Sequence, residues 1–338
     1  MRRTALAGLS AAALTLSLAA CGGSSEAEDS SGSASETITV THAFGTTEIE
    51  GKPERVATVN WANQEVPLAL GVVPVGMQKA TFGDDDGDGV LPWVEEKLTE
   101  LDAETPVLFD ETDGIDFEAV ADTDPDVILA AYSGLTQEEY DTLSEIAPVV
   151  AYPEAAWATP WQEMIELNSA GMGMAEEGEQ LIDDLETEIS ETAAEYPQLK
   201  GKSAMFLTHV DTSDLSEVSF YTTHDTRVQF FEELGLTQPE SIVKASEGTE
   251  EFSQTVSAER ADTFNDVDII VTYGDASLIK ALKADPLLSQ IPAVKNDAIV
   301  TLPGDQPIGT ASNPTPLAIS YVLEDYLGLL AQAADKVK

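Results

Sequence analysis

Short apolar runs, many of them β-branched, alternate along the chain with segments whose apolar residues recur every three or four positions. Residues 56–59 read as a strand, 63–70 as a helix closed by Gly71, 72–76 as a strand and 92–101 as a helix. Residues 107–109 follow as a strand, 117–121 as a helix, 127–131 as a strand, 137–146 as a helix and 149–152 as a strand. Strands covered on both faces read as continuous apolar runs, and a parallel return needs a crossover helix. The alternation therefore predicts a mostly parallel sheet between helical layers.

The pattern then lengthens. Residues 175–196 place Leu181, Leu185, Ile189, Ala193 and Tyr196 on one stripe before Pro197. That predicts a single helix about 33 Å long. Alternation resumes with strands at 204–208, 218–221, 269–273 and 299–302, a helix at 227–234 and a last helix from Pro316. The expected architecture is α/β. Two α/β lobes, residues 37–165 and 201–338, are each built on a central mostly parallel sheet. A connecting helical segment, 166–200, acts as a stiff spacer, which does not imply a large hinge motion.

A weak internal repeat supports the two lobes. DFEAVADTDPDVILAAY (116–132) resembles SAERADTFNDVDIIVTY (257–273). Each has a glutamate in the first turn of a helix, Glu118 or Glu259, then a strand, then a tyrosine, Tyr132 or Tyr273. Ligands of open parallel sheets bind outside the carboxyl ends of the strands. Each lobe thus offers a tyrosine to a shared cleft.

The N-terminus changes where this fold is expected to work. Arg2 and Arg3 precede an apolar run, residues 5–20, too short for a membrane span, which reads as a secretory signal peptide over 1–20. It ends in Leu18-Ala19-Ala20-Cys21, similar to a bacterial lipobox whose cysteine is lipidated. Residues 21–36 are Ser, Gly and acid throughout and read as a flexible tether. The folded part is thus expected outside the cytoplasm, anchored to the outer face of the cell membrane through Cys21, the only cysteine. With no second cysteine, no internal disulfide is available.

Charge removes whole classes of partner. The chain carries 62 Asp and Glu against 16 Lys and Arg, a formal net charge of −46. Such a surface repels nucleic acid and anionic lipid. It also weakens any motif made of acids. One is present: Asp84, Asp86, Asp88, Gly89 and Glu95 have the spacing of an EF-hand loop. The preceding GMQKATFG is strand and loop, not a helix, so a solvated loop near the cleft mouth is expected rather than a calcium site. The three histidines, His42, His209 and His224, lie in unrelated segments, too few for a convincing bare-metal cage. Nucleophile-elbow, zincin, phosphate-loop and dinucleotide motifs are absent, which argues against an enzyme.

Several stretches together resemble the iron–siderophore substrate-binding lipoproteins of ABC importers, the family of the ferrichrome- and vitamin B12-binding periplasmic proteins. They are PERVATVNWANQEVPLALGVVPVGM (53–77), DFEAVADTDPDVILAAYSGL (116–135), PWQEMIELNSAGMGM (160–174), FFEELGL (230–236), ADTFNDVDIIVTY (261–273) and NPTPLAISYVLEDYL (313–327). The resemblance implies two Rossmann-like lobes around a cleft that moves little. It implies no catalysis and no resident cofactor, the ferric siderophore being cargo. It also implies that Glu118 and Glu259 meet basic residues of the permease subunits, with the protein acting as a monomer.

A ferric siderophore has apolar arms and an oxygen-rich iron centre, which suits aromatic walls with a few donors. The candidates at loops and strand ends are Trp61, Trp93, Tyr132, Trp157, Tyr221, Arg227 and Tyr273; Trp161 reads as a packing staple. Of the arginines beyond the signal, Arg55 reads as structural and Arg260 adjoins Glu259, which leaves Arg227 as the ligand donor. One arginine in so acidic a chain suits a neutral or cationic hydroxamate complex better than a trianionic catecholate. Cobalamin or haem would use a similar cleft, and a bare metal ion is the further alternative.

Overall fold

The computed structural model describes residues 37–304 and 306–338. The expected signal peptide and tether, with Cys21, lie outside the described residues.

Strands β1 (Thr37–His42) and β2 (Gly45–Glu50) form an antiparallel hairpin that the apolar pattern did not predict. Its alternation is mostly polar because only one face is buried, through Val40, His42, Thr47 and Ile49. The hairpin is tied down where Thr47 Oγ1 donates to the Val149 carbonyl at 2.7 Å.

The first lobe follows as β3 (Val56–Thr58), β4 (Gly76–Gln78), β5 (Val107–Phe109), β6 (Val127–Ala130) and β7 (Val149–Ala151). Their order is β5-β4-β3-β6-β7 and every pairing is parallel. The strand expected at 72–76 sits later. Pro74 has no N–H for the ladder, so pairing begins at Gly76, where a β-carbon would collide with the Phe109 ring.

The second lobe repeats this order with one change. Strands β8 (Ala204–Leu207), β9 (Glu217–Tyr221), β10 (Ser253–Ser257), β11 (Ile269–Tyr273) and β12 (Ile299–Leu302) lie as β10-β9-β8-β11-β12. Strands β8, β11 and β12 are parallel, whereas β9 runs antiparallel to both its neighbours.

Both sheets belong to one compact unit. The helix Ala175–Ala193 joins them, burying Ile182, Leu185 and Ile189. At 1.5 Å per residue its 19 residues span about 28 Å. The last helix, Pro316–Ala334, adds a second bridge. Its Ala318 and Val322 pack with Leu68, Met77 and Trp93 of the first lobe, and its Tyr326 and Leu327 share a core with Val271 and Val300 of the second. The fully buried Glu65 fixes the start of this helix, accepting from the Leu317 and Ala318 N–H groups at 2.9 and 3.4 Å. Burial pushes its carboxyl up, against these helix-end donors. Among the described residues no helix is long and apolar enough to cross a membrane.

Candidate functional site

Strand order reverses between β3 and β6 in the first sheet and between β8 and β11 in the second, and such switch points are where open α/β sheets hold ligands. Trp61 follows β3, Tyr132 follows β6, His209 follows β8 and Tyr273 ends β11. All four line one cavity of about 330 Å³ between the lobes, with Trp157, Tyr221 and Arg227 beside them. Six of the seven candidate ligand residues are thus brought together. A second cavity, about 240 Å³, lies within the second lobe, lined by Leu207, Val218, Ile270 and Ile291 without tryptophan, tyrosine or arginine.

The first-lobe wall hangs on two asparagines. Asn63 is fully buried. Its Nδ2 donates to the Val59 and Tyr132 carbonyls at 2.9 and 2.8 Å, while its Oδ1 accepts from Tyr132 N at 3.1 Å and Asn168 Nδ2 at 3.0 Å. One amide therefore stitches the β3 loop to the β6 loop. Asn60 Oδ1 accepts from Gly134 N at 3.1 Å, and its own N and Nδ2 donate to Glu111. Asn60, Ala62 and Trp157 all take left-handed backbone, at φ of 59°, 62° and 60°. Strain held in the two loops that carry Trp61 and Trp157 fits a functional position. Gly134 makes room for the Trp157 indole, which a β-carbon there would strike. Trp157 in turn meets Tyr132 edge-on, ring centroids 5.6 Å apart.

The second-lobe wall is organised by charge. Arg227 Nη1 donates to Asp225 Oδ2 at 2.6 Å, and its Nε donates to the Tyr273 hydroxyl at 3.0 Å. The guanidinium carbon stands 4.3 Å from the centroid of the Tyr221 ring, a cation–π arrangement. Burial pushes the Asp225 carboxyl up, with Arg227 pulling against it, and the acid holds the guanidinium well above its ordinary value. Burial likewise raises the Tyr132 and Tyr221 phenols and lowers His209, so all three are neutral at pH 7.

Asn313 and Phe82 each join the two walls. Asn313 Nδ2 donates to the Tyr132 hydroxyl at 3.2 Å, and Asn313 Oδ1 accepts from Thr226 at 2.6 Å. Phe82, from the first lobe, meets Tyr273 and His209 edge-on at 6.0 Å. Phe82, His209, Asp225, Phe252 and Asn313 were not among the candidates, although His209 was legible by the strand-end rule that selected Tyr273.

Trp93 is a correction. It is 3 % exposed, lies outside the cavity and donates from Nε1 to Glu65 at 2.6 Å. Pro92 opens the helix Pro92–Glu100, and the next side chain turns inward against Leu68 and Val94. Trp161 is buried and donates to Glu233. Arg55 donates to the Asp124 and Thr123 carbonyls. Glu118 and Glu259 are both exposed, the first on the helix Phe117–Asp122, the second on the 3₁₀ turn Ala258–Phe264. Asp84, Asp86 and Asp88 bring oxygens within 4.8 Å of one another, and among the described residues no other group of three could hold a metal ion. Their carboxylates accept from the Gly87, Gly89, Asp88 and Val90 N–H groups, shaping the loop itself.

One parallel and one mixed sheet, a bridging helix and a cleft at paired switch points define a solute-binding protein of the two-lobed type. The periplasmic binding protein model matches residues 56–306, and the chain belongs to that family. It is 46 % identical to PiaA of Streptococcus pneumoniae TIGR4, solved in complex with ferrichrome, with a TM-score of 0.86 over 89 % of this chain and 100 % of that one. It is 27 % identical over 259 residues to the probable siderophore-binding lipoprotein YfiY of Bacillus subtilis strain 168, covering 76 % of this chain and 74 % of that protein. It is 25 % identical over 279 residues to the ferric enterobactin-binding periplasmic protein FepB of Escherichia coli O6:H1, covering 78 % of this chain and 83 % of that one.

Proposed function

We propose that the protein captures a ferric siderophore of the hydroxamate type outside the cytoplasm and delivers it to an ABC importer. The observation that carries this reading is the cleft: rings from both lobes face a volume of about 330 Å³ around a single ion-paired arginine. Flat rings give a chelate's apolar arms large contact at low entropy cost. The guanidinium donors left over suit iron-bound oxygens. The volume lies in the small-molecule range. PiaA with ferrichrome, the most informative relative for the ligand, supports the hydroxamate class. A bare ion is a poorer fit, because the cavity lining includes His209 and an Asp225 already engaged by Arg227.

Delivery rests on Glu118 and Glu259. Both are exposed, one in each lobe, at matched distances before Tyr132 and Tyr273. Exposed carboxylates in paired places suit basic residues on two permease subunits. Cys21 would hold the protein at the membrane. The protein itself performs no chemistry on its cargo.

Intrinsic tryptophan fluorescence, read against ferric hydroxamates, catecholates, citrate, cobalamin, haem, Zn²⁺ and Mn²⁺, tests the ligand. Saturable quenching by hydroxamates alone is expected; quenching by the free ions instead would overturn the reading. The Glu118→Ala, Glu259→Ala double variant is expected to keep its affinity and lose uptake in cells. Collapse of affinity would place these residues in the site and remove the docking role.

A further inference from the structure

We propose that Asp225 sets the charge of the chelate the cleft accepts: by neutralising Arg227 from within the protein, it selects complexes without net negative charge. This rests on the cleft being a ferric chelate site.

Asp225 is 1 % exposed and has two engagements. Its Oδ1 accepts from Arg227 N at 2.9 Å, capping the helix Thr226–Glu233, and its Oδ2 accepts from Nη1 at 2.6 Å. The guanidinium faces the cavity with 15 % of its side chain exposed. Its Nε is already given to Tyr273. Among the described residues Nη2 has no protein partner, so it stays available to a ligand oxygen. Arg227 therefore orients a ligand as a donor while adding no net charge to the site.

The remaining lining does not change the balance. Trp61, Gln78, Phe82, Trp157, Phe252, Thr310 and Asn313 are uncharged, and His209, Tyr132 and Tyr221 are neutral. One positive and one negative charge sum to zero. The chain around the cleft carries 62 acids against 16 bases, a field that opposes an incoming anion. A neutral tris-hydroxamate complex loses nothing in this setting. A trianionic tris-catecholate meets no compensating charge, and burying it uncompensated is costly.

Asp225→Asn isolates the charge, because asparagine is an equally good helix cap. Asp225→Ser is a second route to the same loss. Wild type and both variants, checked for fold by circular dichroism, are titrated by tryptophan quenching with ferrichrome, a neutral probe, and ferric enterobactin, a trianionic one. Wild type is expected to favour ferrichrome by about 100-fold or more. In both variants that ratio is expected to narrow by about tenfold or more, with the narrowing reduced as salt rises from about 50 to 300 mM. Tight ferrichrome binding with an unmoved ratio would reduce Asp225 to a helix cap and overturn the inference. So would a wild type that binds both probes equally, a result that stands even if neither variant folds. Failure of wild type to bind any ferric chelate would instead remove the siderophore reading on which the inference rests.

Discussion

The first-lobe wall of the cleft holds Trp61, Trp157 and Tyr132 through buried amides and carries no formal charge, whereas the second-lobe wall holds Tyr221 and Tyr273 around the Arg227–Asp225 pair. The two walls begin from the same topology. Tyr132 and Tyr273 lie at the carboxyl ends of the strands in the fourth place of their sheets, β6 and β11. What differs is what was added. The first lobe added ring area and the loop strain needed to present it. The second replaced a parallel edge with the antiparallel strands β9 and β10, which bring Tyr221 and Phe252 to the cavity. The difference divides the work: one wall supplies contact area, the other orientation and charge discrimination.

The sharpest way to break the first wall alone is Asn63→Ala. It strands the Tyr132 N–H and carbonyl, the Val59 carbonyl and the Asn168 amide in a dry interior. We expect a loss of about 4 kcal/mol in urea unfolding. A loss below about 1 kcal/mol would mean the two loops are held by something else. Next in size is Trp157→Ala, which removes ring area from the cleft. Affinity for a ferric hydroxamate should fall by about 30-fold, roughly 2 kcal/mol, in calorimetric titration. An unchanged affinity would leave Trp157 with packing duty only.

The smallest effect separates the walls by pH. Burial pushes the Glu111 carboxyl up to about 7, against the Asn60 donors that favour its ionised form. An unfolded glutamate titrates near 4.3, so the folded state holds the extra proton between those values. Stability from this group is present at low pH and lost as pH rises through about 7. Between pH 6 and 8 the wild type should lose about 1–1.5 kcal/mol that Glu111→Gln does not lose. Parallel pH profiles for the two proteins would assign the titration elsewhere.

Much of the scaffold was legible because apolar runs mark doubly covered strands. Strands β5, β11 and β12 fall where the pattern put them. The β1–β2 hairpin and β10 were not legible, since a strand with one solvated face or at a sheet edge carries little apolar signal; β10 reads Ser-Gln-Thr-Val-Ser. The long helix was anticipated three residues too far, because Tyr196 continues its stripe after the backbone has left the helix. Within the cleft, strand-end position located the tyrosines. It could not separate Trp61 from Trp93, since both lie near a helix start and only the tertiary position of Glu65 turns Trp93 inward. Asp225 escaped notice among 62 acids, as no local pattern distinguishes a buried carboxylate from a solvated one.

The central claim is that an iron chelate sits between the unlike walls. Crystals of the protein grown with a ferric tris-hydroxamate, measured at the iron absorption edge, would locate the metal directly. The account predicts one anomalous peak between the Trp61–Trp157 rings and Arg227. A peak at the Asp84–Asp88 loop or in the second-lobe cavity, with the cleft empty, would contradict it.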